Sequence, residues 1–574
     1  MKLDAILHIP MSEYAHGLDE KHIVYRLRCA KDDLRGVTLY YGDTACRTTP
    51  ILFTPVEMEM VAGSELHDYW QVNVNSLYDR VYYYFELYDG QDTVLYYGGI
   101  FTDHLVDDRS QYFKLPINHR ADIVTVPDWV HDAVVYNIFP DSFATGYRNV
   151  SGKPGRAIHK GCEVQGKLGG TLDGVTANVD YLKDLGVNCV YLNPIFAAGE
   201  YHKYDLLDYF HVDPCFGGDS AFRKMVNTFH KNGLRVIIDG VFNHCGWNFF
   251  AFDDVIRSQE KSKYRDWFYH LEFPVTRPQD PQSYPDYACF AYERMMPKLN
   301  TANPDVREYL CNVGQYWIEK YDIDGWRLDV ASEVDNRFWR AFRDRVKAVK
   351  PDALLIGEVW ESANHWLQGD MFDSAMNYDF RKHCELFFAR EQMDAAAFAG
   401  RVTEMIMRYR VQTVPAQLNL LDSHDVSRFL SLCDGDTDRY RLAVLFMMTF
   451  IGMPTVFYGD EKGVQGVTEE EYRRSMPWKE GSESLYVFFK TAITMRHDLI
   501  ALGRGDFHML CAERDSRLLV FTRTYQQQTV TVCINAGPKT AALPKQNGSL
   551  YWSARLEDGK LEGYGFSVFV DEKS

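Results

Sequence analysis

An arginine and an aspartate stand two positions apart in the segment DGWRLDV, residues 324–330. If this segment is a strand, Arg327 and Asp329 share one face, because side chains alternate with a period of two. A guanidinium at that range lowers the pKa of a carboxyl group, which suits a nucleophile that must stay ionised at neutral pH. An ordinary ion pair on a surface strand is the alternative. The apolar neighbours Trp326, Leu328 and Val330 favour a buried strand.

Other polar side chains follow further apolar runs of the chain. They are Asp239, Asn243 and His244 after residues 234–240, Glu358 after 354–357, and His424 and Asp425 after 416–421. Carboxylates together with histidines and an arginine indicate either a metal site or acid/base chemistry. A protonated Glu358 that faces an ionised Asp329 is the pairing that glycoside hydrolysis requires.

Strands alternating with amphipathic segments must position these side chains, as in parallel βα units. Eight candidate strands lie at residues 134–139, 187–192, 234–240, 323–330, 354–359, 374–378, 416–421 and 455–458. Asn303 and Pro304 begin a helix before the fourth strand, as cap and first-turn residue. The pattern predicts an α/β fold, a (β/α)8 TIM barrel over residues 123–504, whose chemistry gathers at the C-terminal strand ends. Residues 245–297 form an inserted subdomain after the third strand and supply one wall of the site.

The regions before and after the predicted barrel have the sequence pattern of β structure. Residues 1–122 contain short alternating or aromatic runs separated by turn residues, which predicts an N-terminal β-sandwich. Residues 505–574 return to short strands and predict a C-terminal all-β domain. The chain should therefore hold three domains.

Composition excludes several classes of partner. The chain has 574 residues and a net charge of −18, which argues against binding nucleic acid or an anionic membrane. No apolar run approaches the length of a membrane helix, and no signal peptide is evident. Twelve cysteines without a CxxC pair indicate reduced thiols, and we expect a cytoplasmic protein.

Six segments in order identify a family. They are DGVFNH (239–244), MPKLN (296–300), GWRLDVASE (325–333), GEVW (357–360), LLDSHD (420–425) and GMPTVFYGDE (452–461). This set resembles the motifs of the α-amylase family of glycoside hydrolases. MPKLN together with a β-rich N-terminal domain resembles its neopullulanase, cyclomaltodextrinase and maltogenic amylase branch.

The resemblance implies three catalytic carboxylates. Asp329 would be the nucleophile, Glu358 the general acid/base, and Asp425 the carboxylate that grips the sugar hydroxyls at the cleavage site. Arg327 would steady Asp329.

The resemblance also implies substrate-binding residues. His244 and His424 would hydrogen-bond the sugar at the cleavage site, while Glu333 and Trp360 would lie toward the leaving group. Tyr204 matches a tyrosine on which the family stacks a sugar ring, although it could instead be a core tyrosine in a loop. His202 could contact substrate or be a structural hydrogen-bonding residue.

The implied activity is a retaining, endo-acting hydrolase of α-1,4-glucosidic bonds. Its substrates would be cyclomaltodextrins, maltooligosaccharides, pullulan or starch, with some transglycosylation. One alternative is an exo-acting α-glucosidase, an α-1,6-glucosidase or a transglycosylase of the same family. A non-catalytic binding barrel is another, although all three carboxylates are present.

The branch further implies a homodimer, in which the N-terminal domain packs by the partner's barrel mouth. No metal or other cofactor is expected, because the loop at residues 143–151 lacks the usual calcium ligands. Thr145 and Tyr147 stand where relatives have Asn and Asp, and Thr171 replaces a further Asp. A second calcium position near Asn243 stays open.

Overall fold

Eight parallel strands close into a barrel in the middle of the chain. The computed structural model describes residues 1–145, 168–280 and 282–572. The barrel strands are β1 Val135–Ile138, β2 Cys189–Leu192, β3 Arg235–Gly240, β4 Gly325–Leu328, β5 Leu354–Gly357, β6 Ser374–Asn377, β7 Leu418–Leu420 and β8 Met453–Phe457. Each pairs with its successor, and β1 pairs with β8. The predicted (β/α)8 barrel is confirmed.

The strands form because they are short apolar runs that can be buried on both faces. All residues of β5, for example, are buried, as expected for a parallel sheet covered by helices. Tyr191, Ile237, Ile356 and Leu418 belong to one core cluster. This packed core holds the strand ends, and the polar residues beyond them, in fixed positions.

β4 is shorter than predicted. It ends at Leu328, although the backbone N–H of Asp329 still donates to Gly240 O at 3.0 Å. Val330 then adopts a left-handed conformation, with φ 45°, which is rare and costly for a β-branched residue. Asp329 therefore lies at the turn that ends the strand, at the C-terminal face of the barrel.

Helices connect the strands and complete the α/β units. The helix Pro304–Tyr321 begins as predicted, with the Asn303 side chain accepting from the N–H groups of Asp305 and Val306. Within the described ranges, the α-helices are Pro140–Phe143, Leu172–Ala177, Val179–Leu185, Gly218–Lys231, Phe250–Ser258, Pro304–Tyr321, Asn336–Val349, Tyr378–Cys384, Ala395–Met407, Phe429–Leu432, Thr437–Thr449, Glu469–Tyr472, Glu483–Asp498 and Ile500–Arg504.

The insertion after β3 has little regular structure beyond the helix Phe250–Ser258. Its end returns to the barrel through an isolated β-bridge that joins His244 to Lys298, and a second bridge, between Cys289 and Pro297, lies within the insertion. The insertion is thereby joined to the residues that directly follow β3.

The N-terminal region is a sandwich of two sheets, as predicted. One sheet orders Ala15–Gly17, His22–Ala30, His67–Asn75 and Glu59–Gly63, and the other contains Thr54–Glu57, Gly36–Asp43, Val81–Tyr88, Thr93–Tyr97, Ile100–Thr102 and Phe113–Leu115. The C-terminal sheet comprises Asp506–Ala512, Leu518–Tyr525, Gln528–Asn535, Ala541–Ala542, Ser549–Glu557 and Lys560–Glu572.

The chain forms two compact units. One contains Met1–Thr125, Glu391–Pro415 and Gly505–Ser574, and the other contains Val126–Arg390 and Ala416–Arg504. The segment between β6 and β7 that carries the helix Ala395–Met407 thus belongs to the unit of the two β regions. The division at residues 122 and 504 into three domains stays a prediction.

None of the helices among the described residues combines the length and apolar character needed to cross a bilayer.

Candidate active site

One buried arginine brings three carboxylates together. Arg327, on β4, has no exposed side-chain surface, and its Nη1 lies 2.6 Å from Asp329 Oδ1 and 3.0 Å from Asp239 Oδ1. Its Nη2 lies 2.9 Å from Glu358 Oε1 but is not aligned for a hydrogen bond. Because β3, β4 and β5 are neighbours, their C-terminal ends place Asp239, Asp329 and Glu358, here called the carboxylate cluster, around one guanidinium.

Asp239 forms the base of the carboxylate cluster. It is buried and accepts hydrogen bonds from Tyr191 Oη at 2.8 Å and Tyr204 Oη at 3.1 Å, in addition to Arg327. With these donors around it, Asp239 fixes the guanidinium rather than reacting.

Glu358 is oriented by the turn that follows Asp329. The N–H of Val330 donates to Glu358 Oε2 at 2.8 Å, and Trp360 Nε1 donates to Oε1 at 3.3 Å. The strained conformation of Val330 is what aims its N–H at this carboxyl group. The turn therefore sets the position of Glu358 relative to Asp329.

The pKa of Asp329 differs in direction from the sequence-based expectation. Burial raises it, Arg327 lowers it, and Glu358 and Asp239 raise it further, so the net pKa lies well above its ordinary value. The expectation of a lowered pKa counted the arginine alone and was wrong, because burial and two more carboxylates outweigh one guanidinium. Burial and the two neighbouring carboxylates therefore oppose ionisation of Asp329.

Asp425 is the carboxylate whose ionised form is favoured. His424 Nε2 lies 2.9 Å from its Oδ2, and Arg473 Nη2 lies 3.4 Å from its Oδ1. Burial raises the pKa of Asp425, but His424, Arg327 and Arg473 lower it to about 2 overall. Asn193 Nδ2, 2.8 Å from His424 Nδ1, serves as donor because Asn193 Oδ1 accepts from Asn137. The Nε2–H of His424 then donates to Tyr204 Oη, 2.5 Å away, and lies within ion-pair distance of Asp425.

Arg473 is a site residue that the sequence analysis missed. It lies in the loop after β8, where its Nε donates to His424 O at 2.8 Å and its Nη1 to Tyr201 Oη at 3.2 Å. It also pairs with Glu469. The only sequence signal is the i, i+4 spacing of Glu469 and Arg473, which is typical of any helical ion pair.

His244 has an unused donor. Asn243 Oδ1 accepts from Lys298, so the amide nitrogen of Asn243 faces His244 Nδ1, at 3.2 Å. Burial, with Lys298 adding to it, lowers the pKa of His244 to about 3, so the neutral ring carries its proton on Nε2. Among the described residues, that buried atom has no partner aligned for a hydrogen bond, which suits a group awaiting a ligand oxygen.

Tyr204 and His202 lie together in the loop after β2. The Tyr204 ring stacks on His424 with centroids 5.6 Å apart, and its hydroxyl lies 2.5 Å from His424 Nε2. Tyr204 is half-buried, so its side chain packs against the protein on one side and stays accessible on the other. His202 Nδ1 accepts from the N–H of Tyr204 at 3.0 Å, and burial lowers the pKa of His202 to about 4.

Trp360 and Glu333 lie on the exposed side of Glu358 and Asp329. Trp360 is 47% exposed and stacks on Tyr378 with centroids 3.8 Å apart. Glu333 is exposed and pairs with Lys298 Nζ at 3.0 Å. Both could contact a ligand without rearrangement.

The position near Asn243 already holds a cation, the ammonium of Lys298. Besides Asn243 Oδ1, Lys298 Nζ lies 3.0 Å from Glu333 Oε2 and 3.2 Å from Glu333 O. Across the described ranges there is no group of three or more His, Cys, Asp or Glu side chains that could hold a metal ion. In the loop expected to lack calcium ligands, residues 146–151 lie outside the described residues.

Comparisons with known proteins agree with this geometry. The family model "Alpha amylase, catalytic domain" matches residues 137–491, and "Alpha amylase, N-terminal ig-like domain" matches residues 1–119. The chain is 40% identical to a cyclomaltodextrinase of Geobacillus thermopakistaniensis (strain MAS1), over 100% of both chains. It is 40% identical to neopullulanase 2 of Thermoactinomyces vulgaris, over 98% of this chain and 96% of that one. A solved structure of a cyclomaltodextrinase is similar with a TM-score of 0.91 and 37% identity, covering 100% of both chains. The protein belongs to the α-amylase family of glycoside hydrolases.

Proposed function

We propose that this enzyme is a retaining, endo-acting hydrolase of α-1,4-glucosidic bonds in cyclomaltodextrins, maltooligosaccharides, pullulan or starch, with some transfer to sugar acceptors. The observation that carries the proposal is the single guanidinium of Arg327, which holds Asp329 and Glu358 side by side at the barrel's C-terminal face. The relatives named cyclomaltodextrinase and neopullulanase support the substrate class.

The reaction is a double displacement. Asp329 attacks the anomeric carbon while Glu358 protonates the glycosidic oxygen, so that the C–O bond breaks and a glycosyl ester on Asp329 forms. Glu358 then removes a proton from water, which attacks the same carbon and releases Asp329. A sugar hydroxyl in place of water gives transfer instead.

Hydrogen-bond alignment distinguishes Asp329 from Glu358. Arg327 Nη1 donates to Asp329 at 2.6 Å, whereas Nη2 is near Glu358 but not aligned with it. A hydrogen bond from a cation favours the ionised carboxylate. The hydrogen bond from Arg327 therefore favours the ionised form of Asp329, which the first step requires as nucleophile.

Four side chains hold the sugar at the cleavage site. Ionised Asp425 accepts hydrogen bonds from sugar hydroxyls, and the free Nε2–H of His244 donates to a sugar oxygen. His424 stays fixed between Asn193 and Asp425, and Tyr204 presents a ring stacked on it. His202 supports the Tyr204 loop rather than the sugar.

Product analysis tests the proposal. Purified enzyme is incubated with cyclomaltodextrin, pullulan and soluble starch at equal concentrations, with Asp329→Asn as the control. We expect opening of the ring, mostly maltose or panose as product, and first-formed sugar of the α configuration by NMR. A β product would contradict retention.

The same experiment decides between endo and exo action, because cyclomaltodextrin has no chain end. An intact cyclomaltodextrin, with glucose released one unit at a time from linear chains, would favour an exo-acting α-glucosidase. Cleavage confined to the α-1,6 bonds of pullulan would favour an α-1,6-glucosidase.

We further propose that the enzyme works without a metal, as a homodimer in the cytoplasm. Lys298 supplies a cation where calcium would otherwise sit near Asn243. A relative at 37% identity is named intracellular maltogenic amylase, from Bacillus subtilis (strain 168). The high negative charge is consistent with a freely diffusing protein.

A further inference from the structure

The end of the insertion reaches the catalytic centre through one aromatic contact. We call residues 284–298 the rim segment. Its Phe290 stacks on His244, with ring centroids 5.1 Å apart and an interplanar angle of 20°. Cys245 N donates to Pro297 O at 3.0 Å, which fastens the segment next to His244. The rim segment therefore borders the sugar that His244 contacts.

Two tyrosines of the rim segment project into solvent. Tyr284 and Tyr292 are each 80% exposed, and their rings meet edge to face with centroids 5.9 Å apart. Single exposed aromatic residues are common, but a contiguous exposed pair beside a ligand site indicates an interaction surface. The Cα atoms of Phe290 and Tyr292 can be at most about 7 Å apart, because only one residue, Ala291, separates them.

Tyr292 is held in this exposed position by a compact turn. Ala291 and Tyr292 both have left-handed backbones, with φ 44° and 66°, each an uncommon and costly conformation for a residue other than glycine. The turn closes through Phe290 N to Met296 O at 3.0 Å and Met296 N to Glu293 O at 2.9 Å. A strained turn that fixes an aromatic side chain in water is expected at a ligand contact, where a rigid side chain loses little entropy on binding.

The backbone near Tyr284 is held in place through Asp286, two positions further along the chain. Asp286 accepts from Thr276 Oγ1 at 2.8 Å, and its carbonyl accepts from Glu272 N at 2.8 Å. The backbone near each of the two tyrosines is thus held by hydrogen bonds.

We propose that Tyr284 and Tyr292 form a stacking platform for a glucose unit of the substrate, beyond the sugars that flank the cleaved bond. The inference rests on the proposed function. A glucan is a chain of identical rings, each with an apolar face that an exposed tyrosine can cover. The polymer emerging past His244 and Phe290 meets this pair next. The platform would raise affinity for long or cyclic substrates over short ones.

The test compares substrates of different length on the full-length enzyme. Tyr292→Ala, Tyr284→Ala and the double variant are assayed for kcat and KM on maltotriose and maltoheptaose. Tyr292→Phe keeps the stacking face, and Tyr88→Ala removes another exposed tyrosine, 44% exposed, on the N-terminal β-sandwich. Thermal melting checks that each variant is folded.

We expect KM for maltoheptaose to rise by about 2- to 10-fold in the alanine variants, the usual range for one aromatic contact. The values of kcat, and KM for maltotriose, should stay unchanged, and Tyr292→Phe and Tyr88→Ala should behave as wild type. Equal effects on both substrates, or no effect on either, would overturn the platform. Failure of the wild type to cleave either sugar would instead refute the proposed function.

Discussion

At the scale of single residues, the site depends on how the charge of Arg327 is shared among the carboxylate cluster. Arg327 contacts three carboxylates, so its charge neutralises only one of them. Burial then makes a second negative charge costly. The arrangement suits catalysis and costs stability, as is common where function needs buried charge.

Asp329→Asn should abolish turnover while stabilising the fold at neutral pH. The amide cannot form the glycosyl ester, so kcat should fall by at least about a thousandfold. The pKa of Asp329 is higher in the folded state than in the unfolded state. The unfolding free energy of the wild type therefore falls as the pH rises from the ordinary carboxyl pKa to the pKa of Asp329 in the folded protein. The variant should therefore melt higher at pH 7, and its advantage should vanish toward about pH 4.

Thermal melts between these pH values, with activity assays, measure both effects. Asp208→Asn, at a partly exposed carboxyl group, serves as control. It should change neither the turnover nor the melting temperature at pH 7. Activity within tenfold of wild type would refute the nucleophile, while a lower Tm at neutral pH would refute the raised pKa.

Arg473→Lys should weaken substrate binding. Arg473 contacts Asp425, His424 O and Tyr201 Oη at once, which the single ammonium of lysine cannot reproduce. With Asp425 less firmly held, KM should rise about tenfold, corresponding to one lost charge-assisted hydrogen bond. Steady-state kinetics on maltotriose measure this.

The neighbouring Arg474→Lys is the matched control, since the Arg474 side chain donates to Glu471 O instead. Identical kinetics in both variants would show that Arg473 does not position Asp425.

At the scale of elements, loops rather than strands decide the shape of the site. Lys298, at the end of the insertion, links Asn243 after β3 to Glu333 after β4 through one ammonium. A lysine is a tethered cation, so it can hold oxygen ligands together without an exchangeable ion.

Lys298→Met should loosen this link. It leaves Asn243 Oδ1 and Glu333 O without their donor, and we expect a loss of about 2 kcal/mol in unfolding free energy. His244 would also lose its fixed orientation, because Asn243 orients its ring, so kcat/KM should fall. Lys490→Met, which breaks an exposed ion pair with Asp184, should change either quantity little.

Wild-type melting and activity should be indifferent to EDTA. Chemical denaturation and steady-state kinetics measure the effect of Lys298→Met. Thermal melts and activity assays with and without EDTA measure the effect of the chelator. A melting temperature that falls by several degrees in EDTA would show that the enzyme depends on a metal ion.

At the scale of the whole molecule, the N-terminal sandwich is part of a larger compact unit. Arg26, on the strand His22–Ala30, is buried and donates to Met407 O at 2.8 Å and to Gln71 Oε1 at 2.9 Å. Met407 ends the helix Ala395–Met407, which lies between β6 and β7 in the chain. Removing residues 1–122 would therefore expose buried polar groups of the segment Glu391–Pro415, so truncation is a poor test of the sandwich's role.

Arg26→Ala should destabilise the protein by about 2–4 kcal/mol, because it leaves a cavity and removes the donor to the partly buried Met407 O. Arg35→Ala, at an exposed position, should stay within about 0.5 kcal/mol of wild type. Denaturant unfolding compares the two variants. Equal stability would show that the contact of Arg26 with Met407 contributes nothing.

The full-length chain should sediment as a dimer at micromolar concentration, at twice the 66.5 kDa of one chain. The expectation comes from the resemblance to the maltogenic amylase branch. Sedimentation equilibrium measures it, with catalytic activity followed on dilution. A monomer throughout the micromolar range would contradict the proposal.

The sequence by itself determined the barrel, its two β regions and the family. The barrel strands are buried and several of them, such as β2, β5 and β8, are apolar runs, and the Asn303–Pro304 helix start is a local signal, so neighbouring residues carry the information. The residues Asp329, Glu358 and Asp425 could be named for the same reason, from motifs. Only the tertiary structure decided how many carboxylates surround Arg327, and with that the direction of the Asp329 pKa. It likewise brought Arg473 to Asp425 and Lys298 to Asn243, across 48 and 55 positions of the chain. Such contacts depend on closure of the barrel, which sets distances between loops that no local pattern records.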